Sequence, residues 1–365
     1  MVAVLKPAAA PGFVVDEVPI PSIASDEVLV QVEAASLCGT DATIWKWVGF
    51  APGRVQPPVT VGHEFAGTVV EIGKGVTNVA VGDYISAESH VTCGVCRSCR
   101  TGQAQTCPST SILGLDRDGV FAEFASIPEK VVWKNDRAKL PPEIATLQEP
   151  FGNAVFATTE QDLRGKTVAV IGCGPLGLFS VGIAAASGAA VVVATDVSDT
   201  RLALANTMGA DATFNASAGT AESTAWIREQ TGGDGADVVL EMSGAAPAID
   251  GAFKGARLGG RVVLMGIPSR SVEVDVANDL VFKNLTVVAL NGRRIFDTWY
   301  KTKWLLESGA VDLRPLISHE LVIEDIDRAM ELQASGEACK IVLRPPASAA
   351  SSESPRGEPN AAIAG

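Results

Sequence analysis

Residues 167–195 contain no Asp, Glu, Lys or Arg, and nothing else limits the possible folds of this 365-residue chain so sharply. On length alone such a run could span a bilayer. Its interior argues otherwise: Gly172, Gly174, Gly177, Gly182 and Gly188 interrupt it, Pro175 sits among them, and β-branched runs mark both ends. A strand, a glycine turn, a small-residue helix and a second strand account for the whole texture. The glycines form Gly172-Cys173-Gly174-Pro175-Leu176-Gly177, a G-x-G-x-x-G that follows a strand over 167–171 and opens a helix. Asp196 ends the next strand, 24 residues after Gly172. That context is what a dinucleotide-binding βαβ unit requires.

The chemistry of such a turn assigns its parts. Gly172 allows the tight turn, Gly174 lets a pyrophosphate approach the backbone, and Gly177 lets helix and strand pack closely. Pro175 and Leu176 begin the helix, whose N-terminus adds a positive dipole. Asp196 would accept hydrogen bonds from the adenosine ribose, and a 2′-phosphate there would meet a carboxylate, so NAD is expected over NADP. Arg201 is the nearby cation that could reach such a phosphate; stacking on adenine or surface pairing is its other use.

Around this unit the chain divides. Residues 28–33, 67–72 and 82–85 alternate with period two between Gly, Pro and Asp breaks, which predicts an antiparallel β domain. From about 153, strands at 167–171, 190–195, 236–240, 261–265 and 285–290 alternate with helices such as 201–208 and 247–257, which predicts a doubly wound parallel sheet. After a helix over 297–308, short strands return and end in residues 340–343. The expected organisation is α/β: one domain from 1–152 and 295–344, with a nucleotide domain over 153–294 inserted into it. Residues 345–365 are rich in Ala, Ser, Pro and Glu and are expected to be disordered.

The balance of 29 Lys+Arg against 42 Asp+Glu, a formal charge of −13, argues against nucleic acid or an anionic membrane as partner. The start of the chain lacks a basic region and cleavage site of a secretory signal, so a cytoplasmic location is expected. The uncharged, β-rich run at 285–290 predicts an edge that pairs with another copy, hence a homodimer or homotetramer.

Four of the seven cysteines crowd into Cys93-x2-Cys96-x2-Cys99-x7-Cys107. Four thiolates around one ion make a closed tetrahedral site suited to structural zinc. The ferredoxin run begins the same way but needs three residues before its fourth Cys, where this chain has seven. A closed site does no chemistry, so an open one must lie elsewhere. Cys38, His63 and Glu149 are suitable zinc ligands that leave a position free, and His63 is one of only three histidines. Cys173 and Cys339 are expected to be packing thiols and His319 a loop hydrogen-bonder; Trp45 and Trp47 suit a substrate pocket and a β-domain core equally.

Several stretches together resemble the zinc-containing medium-chain dehydrogenases over about residues 1–344, and most narrowly the threonine dehydrogenase branch. They include Val61-Gly62-His63-Glu64-Phe65, Glu88-Ser89-His90-Val91-Thr92-Cys93-Gly94, Glu149-Pro150-Phe151-Gly152-Asn153, Glu241-Met242-Ser243-Gly244, Met265-Gly266-Ile267-Pro268 and Phe296-Asp297-Thr298-Trp299-Tyr300-Lys301. The resemblance implies a GroES-like β domain with two zincs per chain, a Rossmann domain with NAD, and oxidation of a secondary alcohol between them. It implies that Cys38, His63 and Glu149 bind the catalytic zinc, with Glu64 a nearby carboxylate able to exchange with solvent or ligand. Thr40 would take the alcohol proton and Asp41 would orient His63. Ser243, Gly266 and Ile267 would lie beside the nicotinamide, and His90 would support the ligands from behind. At one place the chain departs from the branch, which usually reads Cys-Gly-Thr-Asp-x-His where this sequence has Cys38-Gly39-Thr40-Asp41-Ala42-Thr43. Thr43 can pass a hydrogen bond but does not titrate near neutrality. L-threonine is the substrate expected first, then a polyol, sugar alcohol or cyclitol; a non-catalytic NAD-binding redox sensor is the contrasting class.

Overall fold

The computed structural model describes residues 1–346, so the expected disordered tail lies, beyond Pro346, outside the described residues. The uncharged run forms strand Thr167–Ile171, helix Pro175–Ala186 and strand Val191–Asp196. The helix starts where the glycine turn leaves off, with Gly174 as extended N-cap and Pro175 in the first turn, where a missing N–H costs nothing. Leu178, Phe179, Val181 and Ile183 are fully buried, which explains a helix with no polar face.

Six strands make this sheet, in the order Ala212–Asn215, Val191–Asp196, Thr167–Ile171, Ala236–Glu241, Ala256–Leu264 and Thr286–Ala289. Every pairing is parallel. The order reverses beside Thr167–Ile171, the crevice where such sheets bind ligands at their carboxyl ends. Strand Ala212–Asn215 and helix Thr220–Gln230 have no clear sequence signal. All four residues of the strand are half-buried, so no apolar alternation announces it.

The remaining chain builds antiparallel structure around strand Glu27–Ser36, which pairs with Phe65–Ile72, Phe124–Pro128 and Lys340–Arg344. The last of these pairs through Val342 with Ser36 and Leu343 with Ala35, so the chain returns to its first sheet after leaving the parallel one. Beside it lies Ile317–Val322, followed by helix Ile326–Ser335, which periodicity had not indicated. Helix Gln148–Thr159 joins the two sheets. Its Phe151 meets Phe179 edge-on, with centroids 5.5 Å apart, in a core shared by both halves. Among the described residues no helix is long and apolar enough to cross a membrane.

Candidate active site

Cys38 is the N-cap of helix Gly39–Lys46, and its first turn gathers Cys38, Thr40 and Asp41. The Asp41 carboxylate accepts the Cys38 backbone N–H at 2.8 Å, a bond that pins the turn. Asp41 is fully buried, and its other oxygen lies 3.7 Å from His63 Nδ1. Burial pushes the Asp41 carboxyl up to about 6, against the pull of His63. Burial disfavours a charged His63, yet Cys38, Asp41 and Glu149 around it hold the imidazole well above its ordinary pKa. Thr40 and Thr43 are half-buried, three residues apart on one helix face; the Thr43 hydroxyl donates at 3.3 Å to the Gly39 carbonyl.

Cys38, His63 and Glu64 bring one ligand atom each within 4.8 Å of one another. Glu64 is fully buried; its Oε2 takes Lys340 Nζ at 2.6 Å and the Ser36 hydroxyl, while Oε1 has no partner. His63 Nδ1 and Asp41 Oδ1 are likewise without a hydrogen bond. Buried polar atoms left this way are costly. A thiol, an imidazole and an unpartnered carboxylate oxygen converging from different segments fit a divalent metal with nitrogen, sulfur and oxygen ligands.

Glu149, the other expected ligand, is buried at the start of helix Gln148–Thr159. The structure groups it with Glu88 and His90, and its Oε1 is held by Arg293 at 2.6 Å and by the Ser89 hydroxyl at 2.5 Å. Burial alone would raise its pKa, but Arg293 and then His63 bring it below the ordinary value. Glu64 thus stands beside Cys38 and His63 with its other oxygen on Lys340, and Glu149, bound by Arg293, is close enough to act on His63. His90 accompanies Glu149 and not His63: its Nδ1 lies 3.0 Å from Glu88 Oε1.

The four clustered cysteines form a compact group, with Cys96–Cys99, Cys93–Cys107, Cys96–Cys107 and Cys93–Cys99 sulfurs 3.5, 3.6, 3.8 and 4.0 Å apart. A tetrahedron with Zn–S bonds of about 2.3 Å has edges of about 3.8 Å. No cysteine is in a disulfide. The Cys93 backbone N–H, assisted by that of Ser109, brings the Cys107 thiol down to about 6, whereas, against the Cys99 backbone N–H, burial and the neighbouring thiols push Cys96 up to about 11.

In the glycine turn each glycine has its own reason. A Cβ on Gly177 would lie 1.8 Å from the Gly172 carbonyl oxygen, and one on Gly172, at φ +92°, would lie 2.7 Å from Ser243 Cβ. A Cβ on Gly174 would meet nothing within 4 Å, so this glycine faces the open crevice. Asp196 closes the turn by accepting the Cys173 N–H at 2.6 Å and the Ser198 N–H at 2.9 Å. Pro175 and Leu176 lead the helix beside it, and Arg201 Nη2 lies 3.7 Å from where a Cβ on Gly336 would be. Glu241 binds the Ser243 hydroxyl and the N–H groups of Ser243 and Gly244. Gly266 packs so closely on Gly244 that a Cβ there would lie 2.0 Å from its nitrogen, which sets Ser243, Gly266 and the 82% exposed Ile267 along one wall.

Sequence reasoning missed Lys340, Arg293, Ser36 and Glu88, which carry no motif of their own. Glu88 and Ser89 lie in a quoted stretch, but nothing in it reveals a buried ion pair with a residue 205 positions away. Trp45 and Trp47 pack against the core of the first sheet. His319 sits on the strand Ile317–Val322 and not in a loop, with Nδ1 3.0 Å from Ser318 Oγ. Cys173 is buried against the Thr195 carbonyl.

Two family models match the chain: the alcohol dehydrogenase GroES-like domain over residues 24–137 and the zinc-binding dehydrogenase over residues 175–307. The L-threonine 3-dehydrogenase of Symbiobacterium thermophilum is 46% identical over 346 residues, covering 94% of this chain and 98% of that enzyme. Among solved structures, galactitol-1-phosphate dehydrogenase from Escherichia coli superposes with TM-score 0.86 at 28% identity, covering 94% of this chain and 100% of that one. A zinc-binding dehydrogenase from Sinorhizobium meliloti 1021, bound to NADP, gives TM-score 0.86 at 29% identity over 94% of this chain and 99% of that one.

The two metal groups predict two behaviours. Elemental analysis should find about two zinc ions per chain, one per donor group. Cys96→Ser should lower the melting temperature and release one zinc, whereas His63→Ala should abolish turnover and leave melting within a few degrees. Iron with visible charge-transfer absorption would overturn the zinc assignment of the four cysteines.

Proposed function

The chain belongs to the zinc-binding alcohol dehydrogenases, and from that membership we propose that it oxidises L-threonine at the 3-hydroxyl. It is a zinc- and NAD-dependent oxidoreductase, threonine dehydrogenase-like in sequence. One observation carries the choice of substrate, the 46% identity to an L-threonine 3-dehydrogenase over 94% of the chain. Two of the resembling stretches, 88–94 and 296–301, meet in a single buried network: Trp299 Nε1 donates to Glu88 Oε2 at 2.9 Å, and Glu88 pairs with Arg293 beside Ser89 and Glu149.

Cys38, His63 and Glu149 would hold the catalytic zinc, with the unpartnered oxygen of Glu64 beside Cys38 and His63 able to exchange onto it, and Cys93, Cys96, Cys99 and Cys107 the structural one. Bound there, zinc polarises the alcohol, and NAD accepts the hydride at its nicotinamide. Thr40 would take the alcohol proton at Oγ1. Asp41, its Oδ1 3.7 Å from His63 Nδ1, would orient the imidazole. Ser243, Gly266 and Ile267 would bound a nicotinamide, and the glycine turn would hold the pyrophosphate at the helix N-terminus. The domains meet at this crevice, the catalytic one formed by 1–152 and 295–344 and the nucleotide one by 153–294. Seven unpaired cysteines suit the reducing cytoplasm, where we place the protein.

Asp196 should make NAD the preferred cofactor. We expect kcat/KM to favour NAD over NADP at least about tenfold, roughly 1.4 kcal/mol, and Asp196→Ala to narrow that ratio. Higher wild-type kcat/KM with NADP would mean that Arg201 sets the specificity.

A threonine in place of the branch's relay histidine puts the proton path on Thr40. Thr40→Ala should lower kcat on L-threonine by about 100-fold while Thr40→Ser restores most of it, and Thr43→His should change kcat only a few-fold. If L-threonine is inert and a polyol or cyclitol turns over with NAD, the substrate is the polyol or cyclitol instead.

The exposed edge strand Thr286–Ala289 adjoins Leu258 and Phe282, which are 69% and 76% exposed. We propose that this edge pairs with its counterpart in a homodimer, alone or within a tetramer. Sedimentation should show no monomer at micromolar concentration; a purely monomeric species would sink the idea.

A further inference from the structure

One buried carboxylate has no part in the chemistry above. Glu241 ends strand Ala236–Glu241, is fully inaccessible to solvent, and pairs across the sheet with Ile171, the residue before the glycine turn. Its Oε1 accepts the Ser243 hydroxyl at 2.5 Å and the N–H groups of Ser243 and Gly244 at 2.8 and 3.0 Å. Its Oε2 has only the longer contact to the Gly244 N–H, at 3.2 Å. The Glu241 main-chain carbonyl takes the N–H groups of Met265 and Gly266, at 3.0 and 3.1 Å. One residue therefore ties together both arms of the crevice wall. The fit is close: a Cβ on Gly266 would lie 2.7 Å from Glu241 Oε2, and one on Gly172 would lie 2.7 Å from Ser243 Cβ.

A buried carboxylate ordinarily needs a cation, and Glu64 has Lys340 while Glu88 has Arg293. Glu241 differs: among the described residues its partners are neutral N–H and O–H groups. Burial raises its pKa above the ordinary value, and the Ser243 and Gly244 donors offset that only in part. An incompletely met negative charge thus sits directly behind Ser243 and Gly266. The nicotinamide ring proposed to rest on that wall is positive in NAD and neutral in NADH. We infer that the Glu241 charge makes the crevice favour the oxidised, cationic ring over the reduced one. The inference rests on the cofactor site proposed above. In surroundings of low polarity such a charge acts well beyond contact distance. The preference falls on the reactant of alcohol oxidation and lets the reduced cofactor leave more readily.

The test is calorimetric titration of the zinc-loaded wild type and of Glu241→Gln with NAD, NADH and ADP-ribose, which lacks the nicotinamide. Glutamine keeps the length and an acceptor oxygen but removes the charge. The Kd for NAD should rise about tenfold, roughly 1.4 kcal/mol, while those for NADH and ADP-ribose stay within about twofold. Glu241→Asp, which keeps the charge and shortens the reach to the wall, should weaken NAD and NADH together and leave their ratio within about threefold of wild type. If Glu241→Gln does not fold, Glu241→Ser carries the test, since it leaves room for a water to serve the donors and should move the ratio the same way. An equal loss of NAD and NADH in the neutral variant would overturn the inference, because a merely structural prop moves both alike. Wild-type affinities for all three ligands would overturn it too. A wild type that binds ADP-ribose but neither NAD nor NADH would overturn the nicotinamide site itself, and this inference with it. One that binds both, at a ratio the lost charge does not move, would overturn only the inference.

Discussion

Four carboxylates are buried close together, those of Asp41, Glu64 and Glu149 near His63 and that of Glu88 beside His90, and the rest of the site is arranged to make that tolerable. Isolated, each would neutralise itself by taking a proton. Lys340 and Arg293, both nearly inaccessible to solvent, face them, and backbone N–H groups and the Ser36 and Ser89 hydroxyls take up further lone pairs. The compensation is incomplete: Glu64 Oε1, Asp41 Oδ1 and His63 Nδ1 remain without hydrogen bonds. That residue of unmet negative potential is concentrated where Cys38 and His63 converge, which is where a divalent cation is most strongly favoured. Removing either buried cation would leave a carboxylate uncompensated, at a cost of about 3–5 kcal/mol for a pair of this kind.

Distance from the glycine turn to this charged centre is managed by packing. Gly177 brings helix Pro175–Ala186 against its strand, and the helix is apolar on all sides because helix Gln148–Thr159 covers what the sheet does not. The same Gln148–Thr159 helix carries Glu149 at its start and Phe151 in the shared core. The cofactor crevice and the metal group are thus connected through a few packed side chains, Phe151 against Phe179 among them. Hydride transfer tolerates little error in distance, and a dry, close-packed joint supplies that precision.

What could be read directly from the chain was local. The parallel sheet, its glycine turn and Asp196 occupy one continuous stretch, so spacing alone reveals them. The thiolate group spans Cys93 to Cys107 and is equally legible. Cys38 and His63 could be picked out because cysteine and histidine are scarce. Glutamate is not scarce, so spacing alone does not separate the roles of Glu149 and of Glu64, which the structure sets beside Cys38 and His63. Their surroundings depend on Lys340, 276 positions from Glu64, and on Arg293, for which no local pattern exists. Strand Ala212–Asn215 escaped for another reason, since a half-buried strand of mixed residues lacks the alternation that marks its neighbours.

The chain order gives this division a consequence. All the ligand candidates precede position 150, while both buried cations lie beyond the parallel sheet, at 293 and 340. An N-terminal portion by itself would hold Cys38, His63, Glu64, Glu88 and Glu149 with no buried cation to oppose them. Those carboxylates could not be buried as charges in that state, and strand Glu27–Ser36 would lack its partner Lys340–Arg344. The return of the chain after the nucleotide-binding sheet therefore completes two things in one step, the hydrogen bonding of the first sheet and the charge balance of the metal group. Lys340 does both directly, since it begins that returning strand and its Nζ bridges the Leu37 carbonyl and Glu64. The cofactor-binding insertion is thus enclosed by the residues that make the catalytic charges bearable, and a finished active site implies that the sheet between them has already been traversed.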